Sequence, residues 1–261
     1  MHADTPTRIE FFFDPGCPWT WATSRWLVDA AAARGIDVVW RNLSLGVLNE
    51  GRELSEHLRL TLPAGTAAHR LIAALMADGR NDLIGNFYTE YGRRVHHDQL
   101  APSIEVVREV ALAVGAGEWV AAVDETAWDA PVAESTRLAM SLAGPDVGSP
   151  ILAFGSPLVG IFGPIVSPPP TDEQAQRLLD VVLLLVSFAG LLLFWSGAAA
   201  RLGVLLDLAA RSKPVEEPTS RAGMDEIDLG AGDQLHVVDA NAGAAYRGVV
   251  TGRLIIGDLH G

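Results

Sequence analysis

The chain has 261 residues, of which 49% are hydrophobic and 20% charged, and its formal net charge is −13 at pH 7. This acidic excess argues against a general nucleic-acid binder, because a phosphate backbone requires a basic face. The single cysteine, Cys17, excludes an internal disulfide framework, a multi-cysteine zinc site and an internal dithiol cycle.

The first elements form the pattern of a βαβ unit. The apolar run Arg8–Phe13, closed by Asp14-Pro15-Gly16, predicts a buried strand followed by a tight turn. Pro18 suits the first turn of a helix, and Gly35 fits the C-terminal cap of that helix. A second strand is predicted at Asp37–Leu43.

Helix signals dominate the middle of the chain, from residue 50 to residue 144. This segment is interpreted as a helical insertion. Its predicted helices are His69–Asp78, Ser103–Val114 and Glu134–Leu142.

Strand patterns return after the insertion. Pro150–Phe154 and Leu158–Phe162 are joined by Gly155-Ser156-Pro157, which is typical of a hairpin, and a helix is expected to begin at Thr171. The order β-α-β, helical insertion, β-β-α predicts an α/β chain with a thioredoxin-like fold, a large helical insertion and a short C-terminal extension.

Val181–Ala200 carries no charged residue, which meets the length rule for a membrane span. We favour a buried terminal helix that breaks near Ala189-Gly190 and resumes to about Arg211. Lys213–Thr219 has the composition of a linker, and two strand-like runs follow it, Gln234–Val238 and Tyr246–Ile256. The predicted division is residues 1–49, 50–144, 145–212 and 213–261, the last being a linker and a β-hairpin tail or a partly disordered segment.

Cys17 is the strongest candidate for a catalytic residue. At the first turn of a helix, its sulfur faces unpaired N–H groups and the positive end of the helix dipole, which favour thiolate over thiol. The thiolate is the nucleophilic form, so we expect an activated cysteine. The alternative is a small buried apolar side chain, as most lone cysteines are.

The segment Phe12-Phe13-Asp14-Pro15-Gly16-Cys17-Pro18-Trp19-Thr20-Trp21 resembles the active-site opening of DsbA-like thioredoxin-fold proteins. The mycothiol-dependent nitroreductase (mycothiol-linked oxidoreductase) branch, known from actinobacteria, is the closer match. Ser44-Leu45 with Leu48-Asn49-Glu50, Gly92–His97, and Gly148-Ser149-Pro150 with Phe162-Gly163-Pro164 fit the same branch. The resemblance covers about residues 8–190.

The resemblance implies roles for particular positions. Cys17 matches the nucleophilic cysteine, and Pro150 matches a cis-proline that faces the sulfur and leaves the backbone of Ser149 free to pair with a thiol substrate. The residues that it places around the thiol cosubstrate and the acceptor are Trp19, Asn49 and His96. Without the resemblance, Asn49 is typical of a helix N-cap and Trp26 of a core stripe. His96-His97-Asp98 lacks the partners of a metal motif, so we expect no metal site.

Thr20 departs from the Cys-Pro-Trp-Cys motif of family members that close an internal disulfide. It can hydrogen-bond to a thiolate but cannot resolve a mixed disulfide, so a redox cycle needs an external thiol. The resemblance implies mycothiol as that cosubstrate, with no tightly bound cofactor. Reduction of disulfides or of small electrophiles such as nitroaromatics is the first hypothesis.

Two alternatives remain at this point. One is a thiol-dependent isomerase or transferase of the chromene-carboxylate isomerase type, in which the cosubstrate supplies the sulfur. The other is a non-catalytic thioredoxin-fold module that binds a partner or a membrane. The expected partners are a small electrophile or a mixed disulfide and no nucleic acid, with a homodimer left open, and the lone cysteine favours a cytoplasmic location.

Overall fold

The computed structural model describes residues 7–54, 56–144, 147–196, 224–228 and 253–257. A four-stranded sheet lies at its centre, with strand order β2-β1-β3-β4. The strands of this sheet are β1 (Arg8–Phe13), β2 (Asp37–Asn42), β3 (Ile151–Phe154) and β4 (Val159–Phe162).

The pairing of the strands confirms the predicted thioredoxin-like topology. β1 runs parallel to β2 and antiparallel to β3, and β3 and β4 form the predicted hairpin. Helix α1 (Pro18–Ala32) connects β1 to β2, and α7 (Asp172–Ser196) follows β4. The parallel pair with its crossover helix and the antiparallel hairpin are therefore the two halves that the sequence pattern predicts.

A helical insertion separates β2 from β3, as expected. Its first member is the short helix α2 (Leu45–Leu48), which lies just before the predicted boundary at residue 50. The main helices are α3 (Glu56–Ala77), α4 (Asn81–Gly92), α5 (Ile104–Ala113) and α6 (Asp129–Ala143). A π-helical turn, Arg93–His97, extends α4, and short 3-10 segments cover Gly117–Asp124 and Thr126–Trp128.

β1 is buried on both faces, because successive side chains of a strand point to opposite sides of the sheet. Phe11 and Phe13 face the larger core, where the ring of Phe13 lies 4.2 Å from the ring of Tyr88 and the ring of Phe11 lies 5.4 Å from that of Trp40. Phe12 faces the smaller core beside Leu43. This double burial fixes the C-terminal end of β1, from which the cysteine-bearing turn leaves the sheet.

Helix α4 was not predicted, and two glycines explain why. A Cβ at Gly85 would lie 2.8 Å from Trp40 Nε1, and a Cβ at Gly92 would lie 2.2 Å from Trp21 Cε3. Both positions therefore need glycine for the close packing of tryptophan rings, although glycine lowers helix propensity. The local sequence shows the low helix propensity of the two glycines, but it does not show the tryptophan packing that offsets this low propensity.

Helix α7 corrects the predicted break at Ala189-Gly190, since it continues without interruption from Asp172 to Ser196. It is also not buried all round, because Val181, Leu184 and Leu185 are exposed. No helix within the described part of the chain is long and apolar enough to cross a membrane. The predicted continuation to Arg211 lies outside the described residues.

In the C-terminal region, β5 (Met224–Asp228) pairs antiparallel with β6 (Arg253–Gly257). β6 overlaps the predicted run Tyr246–Ile256, whereas β5 had no predicted counterpart. The predicted strand Gln234–Val238 and the linker Lys213–Thr219 lie outside the described residues. The boundaries of the four-part division of the chain stay predictions.

Candidate active site

The turn Asp14-Pro15-Gly16 delivers Cys17 to the N-terminus of α1. The Cys17 N–H donates to the Asp14 carbonyl oxygen at 3.1 Å, and the backbone of Cys17 is extended, with φ −88° and ψ 114°. Pro18 then starts the helix with φ already close to the helical value. Cys17 is a free thiol with 4% of its surface exposed.

The protonation of Cys17 differs from the sequence-based expectation. Burial raises the pKa of the thiol, and the nearby Asp14 carboxylate raises it further. Hydrogen bonds from the Thr20 hydroxyl and from the backbone N–H groups of Thr20 and Trp19 lower the pKa, but the net result lies above the usual value of a cysteine. The sequence shows the start of the helix but not the depth of burial, and burial is the larger effect.

Two buried hydroxyls lie behind the sulfur. Thr20 Oγ1 and Ser149 Oγ are 2.8 Å apart, and Ser149 Oγ accepts the Asp14 backbone N–H at 3.0 Å. The Thr20 hydroxyl also hydrogen-bonds the sulfur of Cys17. Because a thiolate can only accept hydrogen bonds, Thr20 donates to Cys17 when the sulfur is ionised, and Ser149 then donates to Thr20. Thr20 stands at the position where a Cys-Pro-Trp-Cys motif carries its second cysteine.

Pro150 follows a cis peptide bond from Ser149 and directly precedes β3. The Pro150 carbonyl oxygen accepts the Gly163 N–H at 3.0 Å, which ties this turn to the end of β4. The cis geometry expected at Pro150 is present. The Ser149 side chain lies against the loop that carries Cys17, where it accepts the Asp14 N–H. The pairing of the Ser149 backbone with a thiol substrate stays a prediction.

A cavity of about 230 Å³ opens beside Cys17, between the start of α1, α2 and α3. Trp19 and Asn49, both expected around the thiol cosubstrate, line it. Asn49 ends α2 rather than beginning a helix, which corrects the N-cap interpretation, and its Nδ2 donates to the Leu45 carbonyl oxygen at 2.8 Å. The other polar residues of the wall are Asp14, Ser44, Glu53, Thr61, Thr66, His69 and Ser149.

His96 lies in the π-helical turn after α4 and contacts the cysteine-bearing loop. Its Nε2 is 2.8 Å from the Pro15 carbonyl oxygen, and its ring lies 6.1 Å from the ring of Trp21. Among the residues described, it does not line the cavity that holds Trp19 and Asn49. The structure therefore brings His96 to the backbone of the active-site loop and not to the wall of this cavity.

Sequence reasoning missed a group of buried polar side chains at the cavity, formed by Asp14, His69 and Asn42. His69 Nε2 lies 3.2 Å from Asp14 Oδ2, and His69 Nδ1 lies 2.7 Å from Asn42 Oδ1. Asp14 was interpreted only as a turn residue, and His69 only as part of a helix with apolar spacing. No local signal joins them, because they are 55 positions apart in the chain.

Comparison with known proteins identifies a family and a relative of the chain. Residues 16–194 match the model of a family described as Rv2466c-like, mycothiol-dependent nitroreductase Rv2466c. The uncharacterized protein Rv2286c of Mycobacterium tuberculosis is 29% identical over 185 residues, which is 67% of this chain and 76% of that protein.

The solved structures that are similar to the chain include the following two. The cytosolic disulfide reductase DsbM from Pseudomonas aeruginosa, solved with GSH, is 20% identical with a TM-score of 0.43, over 68% of this chain and 99% of its own. A probable DsbA oxidoreductase from Streptomyces coelicolor is 20% identical with a TM-score of 0.47, over 67% of this chain and 88% of its own.

Proposed function

Because the chain belongs to the Rv2466c-like family of mycothiol-dependent nitroreductases, we propose that it is a monothiol oxidoreductase that uses mycothiol. Its substrates are disulfides or small electrophiles such as nitroaromatics, and Cys17 is its reacting sulfur. The proposal includes a cytoplasmic location, where low-molecular-weight thiols are kept reduced.

The observation that carries the proposal is the set of side chains at the sulfur. Cys17 lies at the wall of a cavity, and the hydroxyls of Thr20 and Ser149 lie behind it. The Thr20 hydroxyl can stabilise a thiolate by hydrogen bonding while Ser149 donates to Thr20, but neither hydroxyl can attack a mixed disulfide. The arrangement therefore suits a sulfur that forms a mixed disulfide and waits for an external thiol.

The cycle on a disulfide balances with two molecules of mycothiol. The Cys17 thiolate attacks one sulfur of the substrate, forms a new S–S bond and releases the other sulfur as a thiolate. A mycothiol thiolate exchanges with this mixed disulfide and frees the second substrate thiol. A second mycothiol then attacks the Cys17–mycothiol bond, which returns Cys17 and leaves oxidised mycothiol. The substrate gains two electrons, and the two mycothiols lose them.

The charge of the cavity favours a thiol cosubstrate that carries no carboxylate. Its described wall carries the carboxylates Asp14 and Glu53 and no arginine or lysine, and because Asp14 is paired with His69, Glu53 is the unpaired carboxylate of this wall. Mycothiol, a sugar-inositol thiol, has no carboxylate, whereas glutathione carries two. Like charges facing each other across a binding site cost affinity, so we propose that the cavity favours mycothiol over glutathione.

Steady-state reduction of a small disulfide tests this function. We expect turnover with mycothiol, much slower turnover with glutathione at equal concentration, and loss of turnover in Cys17→Ser. Equal rates with the two thiols would contradict the assignment of the thiol, and full activity of Cys17→Ser would contradict the role of the cysteine.

The raised pKa of Cys17 favours a second candidate. A sulfur that is mostly protonated at neutral pH suits a thiol-dependent isomerase, in which the cosubstrate thiolate attacks the substrate and leaves again without net oxidation. In that case Cys17→Ser retains most of the activity on an isomerisable substrate, and no disulfide accumulates. Measurement of oxidised mycothiol during turnover separates the two functions.

A further inference from the structure

Asp14 and His69 of a buried cluster lie in the wall of the cavity that Cys17 lines, and Asn42, the third member, contacts His69. His69 and Asn42 are 2% and 1% exposed, and Asp14 is 5% exposed. Burial of ionisable side chains is costly unless they are paired and hydrogen-bonded. The reduction cycle derived above uses none of these side chains, so their role is open.

The orientation of Asn42 determines the protonation of one ring nitrogen of His69. Asn42 Nδ2 donates to the His69 carbonyl oxygen at 3.2 Å, so its Oδ1 is directed to His69 Nδ1, 2.7 Å away. A flipped amide would place Oδ1 against the carbonyl oxygen, and two acceptors repel each other. Nδ1 therefore carries a proton and donates it to Asn42.

The second ring nitrogen faces a carboxylate. His69 Nε2 lies 3.2 Å from Asp14 Oδ2, which also accepts the Leu45 N–H at 2.8 Å, while Asp14 Oδ1 accepts the Gly16 N–H at 2.8 Å. Backbone N–H donors on both oxygens favour the ionised form of Asp14. Nε2 then also carries a proton to face the carboxylate, which makes His69 an imidazolium. This positive charge and the hydrogen bonds hold the pKa of Asp14 below its usual value, although burial opposes them.

The charge of Asp14 acts on Cys17, since both belong to one turn and line one cavity. An unpaired carboxylate there opposes the formation of a second negative charge on the sulfur. We propose that His69, as an imidazolium paired with Asp14, is a positioning residue that allows Cys17 to ionise in its buried setting. The inference deepens the proposed function, because it depends on Cys17 as the reacting sulfur.

Other titratable groups surround this pair and are held constant in the test. Glu53 lines the same cavity, and His96 contacts the loop through Pro15. Tyr88 and Tyr91 lie within range of the Asp14 charge, and burial raises the pKa of both phenols, so they stay neutral across the pH range that matters. Arg25 is a fixed positive charge near Tyr88.

Alkylation of Cys17 by iodoacetamide as a function of pH tests the inference without mycothiol. His69→Gln keeps a polar side chain but removes the positive charge. We expect its alkylation at pH 7 to be about tenfold slower than that of the wild type, since a neighbouring charge shifts a pKa by roughly one unit or more. In Asp14→Asn/His69→Gln both charges are absent, and we expect the rate to return toward that of the wild type.

The double variant separates charge from structure. An unchanged alkylation rate in His69→Gln overturns the inference. A double variant that is alkylated no faster than His69→Gln also overturns it. Removal of both charges restores the rate if the effect is electrostatic, whereas structural damage from the two substitutions would add up. If His69→Gln does not fold, the ¹⁵N chemical shifts of the wild-type His69 ring at pH 7 decide. Two protonated nitrogens are expected, and a neutral ring overturns the inference. If the variants show the expected alkylation rates but the wild-type protein shows no turnover with mycothiol, the inference about His69 holds and the proposed function is contradicted.

Discussion

At the scale of single residues, the protonation of Cys17 is determined by opposing effects of its neighbours. Burial and the Asp14 carboxylate disfavour the thiolate, while the Thr20 hydroxyl and the first backbone N–H groups of α1 favour it. The balance leaves the pKa of the resting thiol above its usual value. A helix N-terminus alone therefore does not make this cysteine a strong nucleophile.

This balance predicts the pH dependence of the wild-type protein. The rate of alkylation by iodoacetamide rises with pH as the thiolate forms, and we expect its midpoint to lie above that of the same protein unfolded in urea. The sign follows from the folded state, which stabilises the neutral thiol. A midpoint below that of the unfolded protein would show that the helix N-terminus dominates after all.

Replacement of Thr20 tests the hydroxyl behind the sulfur. Thr20→Val removes the donor while the volume is retained, and we expect alkylation at pH 8 to slow by about tenfold, since a hydrogen bond to a charged group contributes roughly 1.5–3 kcal/mol. Thr20→Ser keeps the hydroxyl and serves as the control, with a rate near that of the wild type. Equal alkylation rates in the two variants would show that the Thr20 hydroxyl does not stabilise the Cys17 thiolate.

At the scale of elements, α1 and α4 pack closely through Gly92, and this contact positions the loop that carries Cys17. The Trp21 ring on α1 fills the space that a side chain at Gly92 would need. The π-helical turn that follows brings His96 against Pro15. Packing of α4 thus supports the active-site loop through contacts outside the cavity wall.

Gly92→Ala tests this packing. Its Cβ would come within 2.6 Å of three atoms of Trp21, so we expect the free energy of unfolding to fall by about 1–3 kcal/mol. Gly65→Ala in α3 is the matched control, because nothing lies within 4 Å of its Cβ. Helix propensity alone would make that change neutral or stabilising by roughly 0.5–1 kcal/mol. Similar urea midpoints for the two variants would contradict the packing argument.

At the scale of the whole molecule, the chain order of the strands was predictable, because each strand carries its own apolar run and turn residues. Arg8–Phe13 begins and ends where the pattern predicts. The uninterrupted α7 was not predictable from Gly190, since one glycine costs a helix only about 1 kcal/mol and the helix contains leucine runs before and after it, Leu183–Leu185 and Leu191–Leu193.

The candidate site was predictable only in part. Cys17, Thr20 and the cis-proline Pro150 belong to short motifs, whereas the ion pair of His69 with Asp14 depends on a contact between distant parts of the chain. Such a contact forms only when α3 is folded against the end of β1. A histidine in an apolar helix gives no local sign of its partner.

The central claim is that one sulfur, Cys17, carries the redox chemistry with an external thiol. The most direct test incubates the full-length protein with oxidised mycothiol and measures its intact mass. The account predicts an increase by one mycothiol, located on Cys17 by peptide mapping and reversed by free mycothiol. Absence of the adduct, in a sample whose Cys17 is still alkylated by iodoacetamide, would contradict the claim, because the sulfur would then be reachable but inert toward the disulfide.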